Sequence, residues 1–285
     1  MSKKQIIKYT CIILCLVFLT VGTYFTAKFL NSEGSDNMKN YYTPNDQVII
    51  STSDAKSIQN AIDYAIKDGV NRVVIPSYNE RTSSYVWEID ETILLPDNIT
   101  LTLDGCHLVL AKDTFCNMFR NKNAYTDLGK TLEGEQKNIR ILGINRPVLD
   151  GGVYNGHNEH NTTGGQMINN CFIVFSNVRD FEVSGLKLYH QRYWSMAYYF
   201  CRYGKITDLE MKADWASKDK DGNRVDEIPS VFDNLYIFNG DGVDIRTGCN
   251  NILIDNISGR TQDDSVALTA LKGKNETEFY GEGKH

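Results

Sequence analysis

Residues 239–270 read NGDGVDIRTGCNNILIDNISGRTQDDSVALTA. Two acidic clusters, Asp241 with Asp244 and Asp263 with Asp264, flank a short alternating apolar run, Ile252, Ile254 and Ile257. The middle of the stretch, GCNNILIDNISG (248–259), has two relatives upstream: NVRDFEVSGLKL (177–188) and RYGKITDLEM (202–211). NIRILGI (138–144) fits the same frame. Each copy reads polar turn, apolar-x-apolar, polar pair, apolar. Leu186 to Leu209 is 23 residues, and Leu209 to Ile257 is 48, twice 24. A period near 23 built from strand-forming residues predicts a solenoid whose coils each supply several short parallel strands. Asp241 and Asp263 stand 22 residues apart. One coil of about that length returns the two acidic clusters to one face on neighbouring rungs.

The chain upstream supports this. Short apolar segments at 72–75, 85–89, 92–95, 99–103, 107–110, 139–142, 172–175, 181–183 and 186–188 are punctuated by Asn, Asp and Gly, as strands between turns are. A further strand is expected at 48–50. Between it and the first of these lies the one clear helix, at 54–68. Ser53 or Asp54 caps it, Ile58, Ala61, Ile62, Ala65 and Ile66 form one apolar face, and Gly69 ends it. Such a helix would close the open N-terminal end of a solenoid core. A β-sandwich with accidental spacing is the competing reading. Agreement between the period and the end-closing helix favours the solenoid.

Net charge is −6 and the pI about 5.4, with no basic tract beyond the N-terminus, so nucleic acid is not an expected partner. Residues 2–8 carry three lysines, and residues 9–27 then run without a charge. That run is just long enough to span a bilayer as a helix, with the N-terminus inside. A cleaved signal peptide competes, but no A-x-A site is evident. Residues 1–30 are therefore expected to be a signal-anchor or signal peptide, 31–46 a polar linker and 47–285 the β domain. Either leader places the domain outside the cell or on its surface, and a monomer is expected. Of seven cysteines, five follow the apolar run, without a C-x-x-C pair, so no metal and no cofactor is expected. They read as small core residues, with one disulfide open in an oxidising compartment. Three excursions interrupt the repeats, at 121–136, 151–166 and 215–229. The second holds His157 and His160, which we read as a polar rim loop rather than a metal site.

Several stretches together resemble the right-handed parallel β-helix enzymes of the pectin-degrading type, nearest to the polygalacturonases of glycoside hydrolase family 28. SIQNAIDYAIKDG followed by NRVVIP is similar to the opening of those domains. PVLDGG (147–152) and YWSMAYYFC (193–201) resemble two of their coils. NGDGVD (239–244) resembles N-T-D-G-x-D, and QDDSVAL (262–268) resembles G-D-D-x-x-A-I. The resemblance implies an all-β parallel β-helix and an exported hydrolase acting on a polysaccharide, an acidic one in the family's manner. It implies Asp241, Asp263 and Asp264 as catalytic carboxylates. Asp263 would protonate the glycosidic oxygen; Asp241 and Asp264 would activate water, with inversion. Asn239, Asp244 and Gln262 would support them or meet substrate. Inverting hydrolysis needs one protonated and one ionised carboxyl with room for water between them, and clustered carboxylates supply the first by mutual repulsion.

The sequence departs from the family in three ways. The spacing of Asp241 and Asp263 is one residue longer than usual, which a bulge near 247–249 would absorb. The later G-H-G and R-x-K motifs are absent. The chain ends at His285 in a polar stretch, so a C-terminally incomplete domain is expected. Two other functions compete: a lyase on the same fold, for which only Arg246 and Arg260 lie near the acidic clusters, and a non-catalytic carbohydrate-binding surface. Tyr193, Trp194, Tyr198 and Tyr199 are candidate sugar-stacking rings, although strand alternation must send some inward. His190 has no matching family role.

Overall fold

The computed structural model describes residues 40–47, 51–153, 167–213, 217–219, 224–225, 235–236 and 240–270. The apolar run at 9–27, the strand expected at 48–50, His157, His160 and Asn239 fall outside these residues. Among the described residues no helix is long and apolar enough to cross a membrane.

Helix α1 (Asp54–Lys67) begins where Ser53 accepts a hydrogen bond from the Lys56 amide at 3.2 Å. Gly69 follows it at φ +70°, a conformation that glycine adopts without strain. Ile58, Ala61, Ile62 and Ala65 of the expected apolar face are fully buried against the first rung, joined by Ala55, whereas Ile66, expected on that face, is exposed near the helix end. The helix also covers a sheet edge. Gln59 Oε1 accepts from the Leu94 amide at 2.8 Å, and Gln59 Nε2 donates to the Leu94 carbonyl at 3.3 Å. Those backbone groups would otherwise be open to pairing with another chain. Tyr42 already pairs with the first strand, donating to Arg72 O at 2.9 Å and accepting from the Val74 amide at 2.8 Å.

The strands follow in a repeating cycle. The first rung is β1 (Arg72–Pro76), β2 (Val86–Ile89) and β3 (Ile93–Leu95). The second is β4 (Thr100–Asp104), β5 (His107–Leu110) and β6 (Phe119–Asn121). After β7 (Gln136–Lys137), the third is β8 (Arg140–Ile144), β9 (Val148–Asp150) and β10 (Ile173–Ser176). After β11 (Val178–Arg179), the fourth is β12 (Glu182–Ser184), β13 (Lys187–Tyr189) and β14 (Met196–Tyr199). Then comes β15 (Arg202–Lys212), an excursion with β16 (Ser217–Asp219), β17 (Arg224–Val225) and β18 (Leu235–Tyr236), and β19 (Val243–Ile245). The last described strands are β20 (Asn250–Arg260) and β21 (Val266–Leu268).

Strands at equal places in the cycle pair in parallel with the rungs above and below. Leu101, Ile141, Val183, Ile206 and Ile254 stack along one inner face. Trp87, Leu108, Leu149, Leu188 and Met211 stack along the second. Ile93, Phe119, Ile173, Met196 and Val243 stack along the third. These ladders meet in one continuous core. The first and second faces join into one sheet because β15 and β20 run unbroken around the corner between them. This is the parallel β-helix expected from the repeats.

The corners explain the Asn, Asp and Gly punctuation. Asn98, Asn138, Asp180, Tyr203 and Asn251 hold positive φ of 52–57° in matching places on successive rungs. Gly105, Arg146, Gly185, Asp208 and Asn256 form a second such column. Asn and Asp tolerate the left-handed region, and their side chains can bond along the column. Asn138 Nδ2 donates to Asn98 Oδ1 at 2.7 Å, and Asn256 Nδ2 to Asp208 Oδ1 at 2.6 Å.

One expectation is corrected. Leu209 pairs directly with Ile257, so their 48-residue separation is a single rung and not two. The excursion after β15 supplies the extra length. Its described strands, β16, β17 and β18, form a separate antiparallel sheet rather than another coil.

Candidate functional site

The third sheet runs β3-β6-β10-β14-β19-β21, and its last two strands bring the acidic clusters together. Along β19 the pleat alternates. Val243 and Ile245 point into the core, so Asp244 points to the outer face, where Ala197 and Ala267 are its neighbours on the adjacent strands. Small residues on both sides leave room for a carboxylate there.

The register is one residue away from the expected one. Val243 pairs with Val266, a step of 23, so Asp241 stands opposite Asp264 and Gly240 opposite Asp263. Backbone bonds continue this pairing below the strands. The Gly242 amide donates to Asp264 O at 2.8 Å, and the Val243 amide to Ser265 O at 3.1 Å. The Asp264 amide donates to Asp241 Oδ1 at 3.2 Å, which fixes one catalytic candidate directly on the backbone of another. On the other side Asp241 O accepts from the Ser195 amide at 2.8 Å. Gly242 must be glycine for these strands to close: a Cβ there would lie 2.3 Å from Ser265 O and 2.4 Å from Met211 Sδ. Relative to the rung before, one residue is inserted between Ile245 and Asn250, since Ile245 pairs with Tyr198 but Asn250 with Arg202. That is the neighbourhood of the expected bulge, and Gly248 sits there at φ +77°.

Gln262 serves the backbone. Its amide donates to Gly240 O at 3.1 Å, and its Oε1 accepts from the Gly240 amide at 3.1 Å. Gln191 Nε2 reaches the same carbonyl at 3.3 Å. Gly240, the residue before Asp241, is therefore pinned from two rungs.

Burial divides the four carboxylates. Asp263 and Asp264, in the bend before β21, are exposed. Asp241 is buried, and Asp244 more deeply, at 1% exposure. Neither oxygen of Asp244 has a hydrogen-bond partner among the described residues. Arg246 Nη1 lies 3.7 Å from Asp244 Oδ1, within ion-pair range but beyond hydrogen-bond length. Burial, followed by the charge of Asp241, pushes the Asp244 carboxyl up to about 8 against the pull of Arg246; Asp264 and Asp263 add to the rise. The three other carboxylates thus all act on Asp244. The two exposed carboxylates stand where a large substrate can reach them.

Residues 47 or more positions upstream complete the surroundings. The Arg246 guanidinium lies over the Trp194 ring at 4.6 Å, and Trp194 stacks on Tyr193 at 4.5 Å. Of the four aromatic candidates, Tyr198 faces the core between Phe175 and Phe181, with centroids at 5.8 and 5.1 Å. Tyr193, Trp194 and Tyr199 belong to the outer apolar cluster. The sequence reading missed Gln191, and named Arg246 only as a basic residue nearby. Their signal was the rung register, which the excursion hides. His190 lies elsewhere, its Nδ1 3.1 Å from Asp150 Oδ1. Among the described residues no three His, Cys, Asp or Glu side chains are grouped as a metal site.

A parallel β-helix with acidic residues clustered on adjacent rungs of one sheet is the class that fold and site define. The model for glycosyl hydrolases family 28 matches residues 89–281, more than half of the chain. The protein belongs to that family.

Several solved structures are also similar to the chain. One is a Parabacteroides merdae protein described as a candidate glycosyl hydrolase, 16% identical over 76% of this chain and 95% of its own, with a TM-score of 0.47. The Streptococcus pneumoniae surface protein and adhesin PfbA is 13% identical over 76% of this chain and 61% of its own, with a TM-score of 0.46. A mutant tailspike protein of E. coli bacteriophage HK620 is 13% identical over 79% of this chain and 41% of its own, with a TM-score of 0.48. No curated protein matches the sequence.

Proposed function

We propose that the protein is an exported, polygalacturonase-like glycoside hydrolase that cleaves an acidic polysaccharide with inversion. Asp263 is the general acid. Asp241 and Asp264 hold and activate the water. The observation that carries this reading is the bond from the Asp264 amide to Asp241 Oδ1 at 3.2 Å, which locks the N-G-D-G-x-D and Q-D-D segments of a family 28 chain together across one rung step. Asp263 and Asp264 are exposed to an approaching sugar, as a proton donor to a glycosidic oxygen must be. Gln262 braces Gly240, the residue before Asp241, through two hydrogen bonds, and Asn239 and Asp244 are supporting residues. Export and attachment to the membrane follow from the charge-free run at 9–27, and the chain works as a monomer.

The test is release of reducing ends from a polyuronic acid and from a neutral glucan by the purified full-length chain. Proton NMR of the first product shows the anomer, and absorbance of an unsaturated uronate reports a lyase. Reducing ends of inverted configuration without that absorbance support the reading. Asp263→Asn should lower kcat by about 100- to 10,000-fold with binding retained. Absorbance of an unsaturated product would make the protein a lyase. Binding without turnover in the wild type would make it a carbohydrate-binding surface. Fractionation of cells expressing the full-length chain tests the membrane attachment.

A further inference from the structure

Cys201 and Cys249 stand 48 residues apart in sequence and opposite one another in the fold. Asn250 pairs with Arg202, and the Asn250 amide donates to Cys201 O at 3.0 Å, so the preceding residues face each other across one rung step. Adjacent strands in a sheet lie about 4.8 Å apart. That spacing falls within the window of roughly 4.4–6.8 Å between Cα atoms that a disulfide spans. Cys249 Sγ accepts from the Cys201 amide at 3.3 Å, and the two thiols donate to neighbouring carbonyls of one strand, Cys201 to Tyr199 O at 3.2 Å and Cys249 to Tyr198 O at 3.3 Å. Both pack against the main core, Cys201 fully buried and Cys249 partly so. All five described cysteines are unlinked thiols in this structure.

We propose that Cys201 and Cys249 are a disulfide-forming pair that clamps the rung carrying Asp241 and Asp244 to the rung before it. The loop that the bond would close contains the whole excursion after β15 as well as β19, so the clamp fixes both ends of the longest insertion in the described fold. Chemistry at the pair is asymmetric. Burial raises the Cys201 thiol, whereas the hydrogen bond from Cys201 holds Cys249 below the ordinary thiol value. Cys249, the more exposed of the two, is then the first nucleophile. Its thiolate attacks a small organic disulfide such as oxidised glutathione, forming a mixed disulfide and releasing one thiolate. That thiolate takes the Cys201 proton. The Cys201 sulfur attacks Cys249, and the second glutathione leaves as a thiolate that takes from solvent the proton Cys249 had given up on ionising. Two S–H bonds and one S–S bond are exchanged for one S–S bond and two new thiols.

The test uses the full-length chain equilibrated with oxidised glutathione, alkylated under denaturing conditions and digested with trypsin without reductant. Cleavage after Arg192, Arg202, Arg246 and Arg260 isolates Cys201 and Cys249 in separate peptides, 193–202 and 247–260, each holding one cysteine. The expected result is a single cross-linked mass joining those two peptides. Alkylation of both cysteines at saturating oxidised glutathione, or linkage of either to another cysteine, overturns the proposal. Thermal unfolding gives a second readout. The oxidised wild type should melt roughly 5–15 °C above the reduced form. Cys249→Ser should abolish that difference, and a variant that keeps it rules the pair out.

Discussion

Asp244 gives the protein a pH dependence opposite in sign to that of an ordinary salt-bridged carboxylate. Its carboxyl lies at about 8 in the fold against 3.8 for a free side chain, first because it is buried and second because Asp241 is beside it. Below pH about 4 both folded and unfolded chains hold the proton. Between about 4 and 8 the unfolded chain has lost it and the folded chain keeps it, so the unfolded state binds fewer protons and stability falls as pH rises. Each pH unit is worth about 1.4 kcal/mol, so the loss by pH 7 approaches about 4 kcal/mol if the site stays dry. Asp244→Asn preserves the shape and removes the ionisation. The carboxamide also lacks partners, but that cost is the same at every pH, so the slope is the informative quantity. We expect the variant to gain about 2–4 kcal/mol relative to wild type between pH 4.5 and 7.5. In a domain of this size that is roughly 5–15 °C in Tm. Urea and thermal unfolding of both proteins at the two pH values measure it. Parallel pH profiles for wild type and Asp244→Asn would refute the reasoning.

Other outcomes follow from single contacts. Arg192 is 1% exposed and donates to Gly151, Thr114, Leu110 and Ala111 carbonyls at 2.6–3.2 Å. Arg192→Met keeps much of the volume but strands those carbonyls, so urea unfolding should show a loss of about 3–5 kcal/mol. Gly242→Ala places a Cβ 2.3 Å from Ser265 O and should push β21 away from β19, lowering activity at least about tenfold while far-UV circular dichroism stays nearly unchanged. Tyr203 holds φ 55° at a corner where the other rungs have Asn or Asp, and it is 57% exposed. Tyr203→Asn should stabilise by about 0.5–1 kcal/mol, seen as a rise of a few degrees in Tm.

Much of the fold is legible because its causes are local. A strand with alternating polarity has an inner and an outer face wherever it sits, so Ile141, Val183 and Ile206 announce the core before their partners are known. The left-handed corners announce themselves through Asn98, Asn138, Asp180 and Asn251. Helix α1 declares both its cap and the face that closes the coil. The strand β19 was harder: three residues long, it follows an excursion that breaks the period. Counting residues therefore assigned two coils to the single step from Leu209 to Ile257 and paired Asp241 with Asp263 in place of Asp264.

By itself, then, the sequence determined the repeating unit, its corner residues, the helix that ends the stack and the acidic motifs of a family 28 chain. Tertiary structure decided which residues stand opposite one another: Asp241 and Asp264, Asp244 between Ala197 and Ala267, Arg246 over Trp194, Cys201 beside Cys249. The physical reason is the range of the forces. Turn strain and side-chain alternation act within a few residues, whereas register and burial arise only when rungs 23 or 48 residues apart are pressed together, and the chain between them carries no measure of that distance.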